Sequence, residues 1–181
     1  MSGPAPAPAP EPPAAAAIAG DATPPTTALP WSEAATRLAA AHVFWLGTLA
    51  PGGRPQSRPV LAVWVDGRLY STAGPGSRKA RNLATDPRLS LSTTTEGMDL
   101  VIEGRAEPVT GDDRLAAVGA AYRDKYGWPV EVVDGAFAAP YGAPTAGPPP
   151  YEVYEIVPEV AYGFGTDETW APRSTRWRFP A

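Results

Sequence analysis

The 181-residue chain has no cysteine, two lysines and a single histidine, His42. The lack of cysteine excludes disulfides, thiolate zinc sites, iron–sulfur ligation and a cysteine nucleophile. One histidine excludes a histidine-rich metal site and gives a Ser-His-Asp triad little to stand on. Charged residues make up only 19%, and the net charge of −4 argues against a broad nucleic-acid-binding surface. No run approaches the about 18 uninterrupted apolar residues of a membrane-spanning helix, and the N-terminus lacks the basic segment of a secretory signal. Together these absences predict a cytoplasmic protein with neither a membrane nor a nucleic-acid partner.

Proline is in excess, with 24 residues, and it is unevenly placed. Residues 1–30 carry nine prolines and two charges, Glu11 and Asp21. Proline fixes φ and removes a donor, so the alternating Pro/Ala run at 4–10 favours extended polyproline II and cannot pack a core. Residues 1–30 are therefore read as a disordered tail, and 31–181 as one domain long enough to bury a core.

Within that domain Ser32 is a fair N-cap for a short helix over 33–41. Strands are expected at 43–49, 55–65, 68–72, 88–93, 99–108, 151–157, 160–164 and 175–179, several of them marked by period-2 alternation. Asp66-Gly67 reads as a hairpin turn. Helices are expected at 77–83 and 112–126, the latter with Leu115, Val118, Gly119 and Tyr122 at i, i+3, i+4 and i+7. Residues 135–150 read as a loop. The pattern predicts a mainly β fold: a small barrel of about seven strands, with two to three helices packed outside it.

The most informative chemistry lies at Ser77-Arg78-Lys79. A helix N-terminus has unpaired N–H groups and partial positive charge, so cations in its first turn are disfavoured by a few tenths to about 1 kcal/mol each. A bound anion, and phosphate above all, would reverse that cost. The alternative is a solvated basic turn. Elsewhere, Asp99 and Glu103 share a strand face, which suits either a carboxylate pair or a solvated face. Tyr122, Tyr126 and Trp128 suit packing of the long helix, and His42 suits a structural role at a helix–strand junction.

The order strand, Gly-rich turn, strand, Asp-Gly hairpin, strand, Ser-Arg-Lys-x-x-x-Leu helix, Asp-Pro, strand resembles the pyridoxamine 5′-phosphate oxidase-like flavin-binding split barrels. The stretch Arg81 to Arg88 and the terminal Thr175 to Phe179 are similar to the actinobacterial branch, much of which uses the deazaflavin F-420 rather than FMN. The resemblance implies a split barrel, a homodimer with the cofactor in the cleft between subunits, and oxidoreductase activity on a small organic substrate. It implies F-420, with FMN as the alternative cofactor, and leaves a non-catalytic flavin- or ligand-binding protein as a further alternative. It places the phosphate at Ser77, Arg78 and Lys79, the ring against Arg58, Val60, Trp64, Ser71 and Thr72, the cofactor tail near Asn82, and a closing wall at Arg176, Trp177 and Arg178. Two departures argue against a vitamin B6 oxidase. The oxidase's second-strand lysine aligns with Val63 or Trp64, and its C-terminal Arg-Leu-x-Pro motif is missing. No catalytic residue or metal ligand is identifiable.

Overall fold

Alternation of apolar and polar side chains builds most of this protein. The computed structural model describes residues 13–18, 27–142 and 146–180. Among them are 11 strands and three α-helices. In β6 (Arg88–Thr95) and β7 (Met98–Pro108), Leu89, Leu91, Thr93, Met98, Leu100 and Ile102 turn inward, and Ser90, Ser92, Asp99 and Val101 lie on the outer face.

The main sheet runs β1 (Ala14–Ala17), β11 (Thr175–Arg178), β10 (Glu152–Gly165), β7, β6, β2 (Phe44–Leu49) and β3 (Pro55–Val60). The 14-residue β10 forks it. Glu152–Ile156 pairs with β5 (Arg68–Ala73), Val160–Gly163 pairs with β11, and the other edge follows β7 from Tyr154 to Gly165. A register shift between Pro158 and Val160 makes the fork. β5 also pairs with β4 (Ala62–Val65).

The wall thus ends on β3 and β4, which are consecutive in the chain and separated only by Leu61, with no ladder between them. Hydrogen bonding does not close the sheet; the chain itself crosses the gap. This is a split β-barrel. Side chains take over the backbone groups at the crossing. The Leu61 carbonyl accepts from Ser71 Oγ (3.0 Å) and Tyr122 OH (3.1 Å), and the Ala62 carbonyl accepts from Lys125 Nζ (3.0 Å) and Tyr126 OH (2.8 Å).

Two cores result. One fills the barrel with Phe44, Leu46, Leu69, Leu91, Met98, Leu100, Ile156 and Trp177. The other lies under α3 (Asp112–Tyr126), where Leu115, Val118 and Tyr122 meet Val63, Tyr70, Trp128, Phe137, Tyr151 and Val153.

Gly104 faces the register shift in β10. A Cβ there would overlap the Val157 carbonyl oxygen and lie 3.0 Å from Pro158 Cα. Both are backbone atoms, so neither can swing aside. Gly104→Ala is expected to lower stability by about 1–3 kcal/mol. Denaturant titration checks it, and an unchanged midpoint would contradict this contact.

Several expectations are corrected. Helix α1 spans Trp31–Ala40 with Pro30 as its N-cap, so Ser32 sits inside the first turn. The extended segment at 55–65 is two strands, because β3 and β4 pair with different neighbours. The loop expected at 135–150 holds β9 (Ala136–Ala138), paired with β8 (Glu131–Val133); the Asp134-Gly135 turn, both residues at positive φ, is what makes that hairpin. The two strands expected at 151–164 are one, β10, bent rather than broken at Pro158.

The expected disordered tail also differs where it is described. Ala14–Ala17 pairs antiparallel with β11, and Ile18 N–H donates to the Ser174 carbonyl (2.8 Å). Leu29 is buried and lies in the barrel core. A β-ladder needs backbone, not bulky side chains, so an alanine run can add a strand without a compositional signal. Residues 1–12 and 19–26 lie outside the described residues.

Candidate functional site

Three separate pieces of chain converge on one groove. The end of β3 with the following Leu61, the end of β5 with the following Gly74, and the first turn of α2 (Arg78–Thr85) line a cavity of about 270 Å³, with His42, Val43, Trp128, Ala146 and Tyr151 completing it. Mostly apolar walls with one cation suit a flat ring that carries a charged tail.

The cation is Lys79. Ser77 caps α2, its Oγ accepting from Ala80 N–H (3.2 Å). The preceding Gly-Pro-Gly turn closes through a Ser77 N–H bond to the Gly74 carbonyl (2.9 Å), which fixes the helix start beside the groove. The first turn of α2 contains no acidic residue. Lys79 is half-buried, lines the groove and has no hydrogen-bond or ion-pair partner among the described residues. Burial pushes its ammonium pKa below the ordinary lysine value. An anion at this point would remove that penalty. Arg78, next in line, is exposed.

The expected site residues divide. Val60, Thr72 and Lys79 line the groove, with Ser77 and Arg78 at the helix start beside it. Ser71 is buried and donates to the Leu61 carbonyl, so it fixes the groove wall from behind. Asn82 is also buried, and its Nδ2 donates to Thr48 Oγ1 (2.9 Å) and Gln56 Oε1 (3.1 Å). Those bonds tie α2 to β2 and β3. Arg58 is exposed and donates to the Ser57 carbonyl (2.7 Å). Trp64 lines a different cavity, against Trp31. Trp177 is fully buried in the barrel core, its Nε1 donating to the Leu29 carbonyl (2.8 Å). Arg176 and Arg178 lie on β11, where both pair with β1.

Trp128, Tyr151 and Ala146 went unread as groove residues. The two aromatics pack edge to face at 5.1 Å and belong to a core cluster, and nothing in their local spacing separates a core ring from one that also borders a groove. Among the described residues no group of His, Cys, Asp or Glu could hold a metal ion, and no helix is long and apolar enough to cross a membrane.

No curated protein matches the chain. Solved structures do. A heme-binding protein from Mycobacterium smegmatis is 24% identical with a TM-score of 0.57, over 74% of this chain and 52% of that one, so this chain spans about half that protein's length. An F-420 reductase is 21% identical with a TM-score of 0.50, over 70% of this chain and 93% of that one. An FAD-binding protein from Mesorhizobium loti is 23% identical with a TM-score of 0.50, over 82% of this chain and 95% of that one. At these identities the likeness concerns the fold. Residues 31–164 match the family described as pyridoxamine 5′-phosphate oxidase, a span that takes in nearly the whole barrel wall. A match over most of the chain, on the split barrel described above, places the protein in the pyridoxamine 5′-phosphate oxidase family.

Proposed function

We propose that this protein is an oxidoreductase that moves a hydride between a deazaflavin, F-420, and a small organic substrate, with FMN as the alternative cofactor. The observation that carries the reading is Lys79: a half-buried cation without a counter-charge among the described residues, at a helix start, on the wall of a mostly apolar groove. Lys79 and the free N–H groups of α2 would hold the phosphate, with the Ser77 hydroxyl available to donate. Val60, Leu61 and Thr72 would border the ring. When bound, the cofactor supplies the hydride chemistry. The chain binds it, orients it and shields one side of it from water. Among the described residues that line the groove no nucleophile is hydrogen-bonded to a base, which fits a protein whose chemistry resides in its cofactor.

Titration of the protein with F-420 and with FMN, followed by absorbance and by cofactor fluorescence, is expected to show saturable binding of one or both. Binding without turnover of any reducible substrate would support the non-catalytic alternative. Failure of both to bind would sink the proposal.

We also infer a homodimer, formed through the outer face of the sheet. Trp45, Ser92, Val101, Tyr162 and Arg176 lie in one cross-strand row there. Val43 and Trp45 are 60% and 49% exposed on that face. Asp99 Oδ1 and Arg176 Nε are buried without a partner among the described residues, which is costly unless a second surface supplies one. Sedimentation should give twice the monomer mass, and Trp45→Glu should give a monomer. A parent protein that sediments as a monomer would refute this.

A further inference from the structure

We propose a second ligand site, one that takes a neutral single-ring aromatic molecule, in the cavity between Trp31, Trp64 and Phe179. The cavity is about 140 Å³ and also touches Leu69, Ile102 and Ile156. It shares no lining residue with the groove of Lys79, so the proposal does not rest on the flavin reading.

Size is the first argument. Protein interiors leave few voids larger than a water molecule, because the lining of an empty space loses its dispersion contacts. An apolar cavity of about 150 Å³ stays dry and admits benzene. This cavity is of that size, and its hydrophobic floor comes from the barrel core.

Ring geometry is the second. Trp31 meets Trp64 at 6.2 Å and 51°, and Phe179 at 4.9 Å and 90°. None of these pairs is stacked, so one more ring can join by the edge and offset contacts that aromatic groups favour.

Polarity is the third. Buried indoles usually find an acceptor, as Trp128 does at the Tyr141 carbonyl and Trp177 at the Leu29 carbonyl. Trp31 and Trp64 are only half-buried and have no hydrogen-bond acceptor among the described residues; neither N–H is a buried unpartnered atom, so both face the mouth of the cavity. A ring bearing one hydroxyl or carbonyl could provide an acceptor there. The charges on the lining are already matched: Glu155 accepts from Arg68, and from Arg114 Nη1 at 3.2 Å. A charged ligand would have to break that pairing, whereas a neutral one leaves it whole.

The test uses the full chain and para-fluorophenol, observed by fluorine NMR with and without FMN. The expected dissociation constant is roughly 1 mM or tighter, within reach of a ligand with about eight non-hydrogen atoms. Ile156→Phe, which fills the cavity, should weaken binding by at least about tenfold. Should Ile156→Phe fail to fold, Trp64→Leu at the half-buried rim should show the same loss. Both variants should leave FMN affinity unchanged. The proposal is overturned if the probe does not bind at several times that concentration. It is equally overturned if FMN displaces the probe, which would put it in the other groove, or if a folded variant binds it as the parent does.

Discussion

Replacing Lys79 with alanine is expected to raise the dissociation constant of the phosphate-bearing cofactor by about 10- to 150-fold. The estimate takes one charge-assisted hydrogen bond at about 1.5–3 kcal/mol and about 1.4 kcal/mol per decade of affinity. Lys79 belongs at the upper end, because its surroundings are partly desolvated and Coulomb attraction is less screened there. The exposed Arg78 should cost less on replacement, and Arg81, also exposed and further along the helix, less again. The rate at saturating cofactor should change far less than affinity, since the lysine holds the tail and not the reacting ring.

pH gives an independent check. The uncharged form of a buried lysine is reached at lower pH than usual, and a bound phosphate favours the charged form. Affinity should therefore hold at low pH and fall as pH rises through the lowered Lys79 pKa. In Lys79→Ala that dependence should vanish. If the single variant binds both F-420 and FMN as tightly as the parent, the start of α2 is a solvated turn.

Trp177→Ala should be the most destabilising single change in the barrel. The indole is completely buried and its Nε1 bonds the Leu29 carbonyl. Emptying a site of this kind costs about 3–5 kcal/mol. For a chain of this length that is a fall in Tm of about 6–20 °C, read by calorimetry or circular dichroism. Below the new Tm, cofactor affinity should stay near the parent value. A small change in Tm with a large loss of affinity would instead make Trp177 a pocket wall, as the family resemblance implied.

That contrast shows what local sequence can and cannot reveal. Arg176-Trp177-Arg178 alternates, and alternation correctly predicts a strand with Trp177 on one face and both arginines on the other. Which face is the interior depends on how the strand packs between β10 and β1, the latter at the far end of the chain. The start of α2 at Ser77 was legible for the opposite reason. A cap, two cations and a glycine turn form one short segment, and the physics of a helix start is local. The fork in β10 was legible only in part. Pro158 marked the irregularity, but a proline reads equally as a break or as a bend until the neighbouring strands are known. The strand at Ala14–Ala17 gave no signal, because what it contributes is backbone.

The crossing at Leu61 has a consequence for how the barrel moves. Between β3 and β4 there is no ladder to break, so widening the wall there breaks the four side-chain bonds that clasp the Leu61 and Ala62 carbonyls, together with the bond from Ala62 N–H to Tyr126 OH. Three of the four come from a single helix, through Tyr122, Lys125 and Tyr126. Leu61 also lines the groove. The long helix is thus the buckle on the seam between β3 and β4, and it clasps one wall of the groove from more than 60 residues further along the chain.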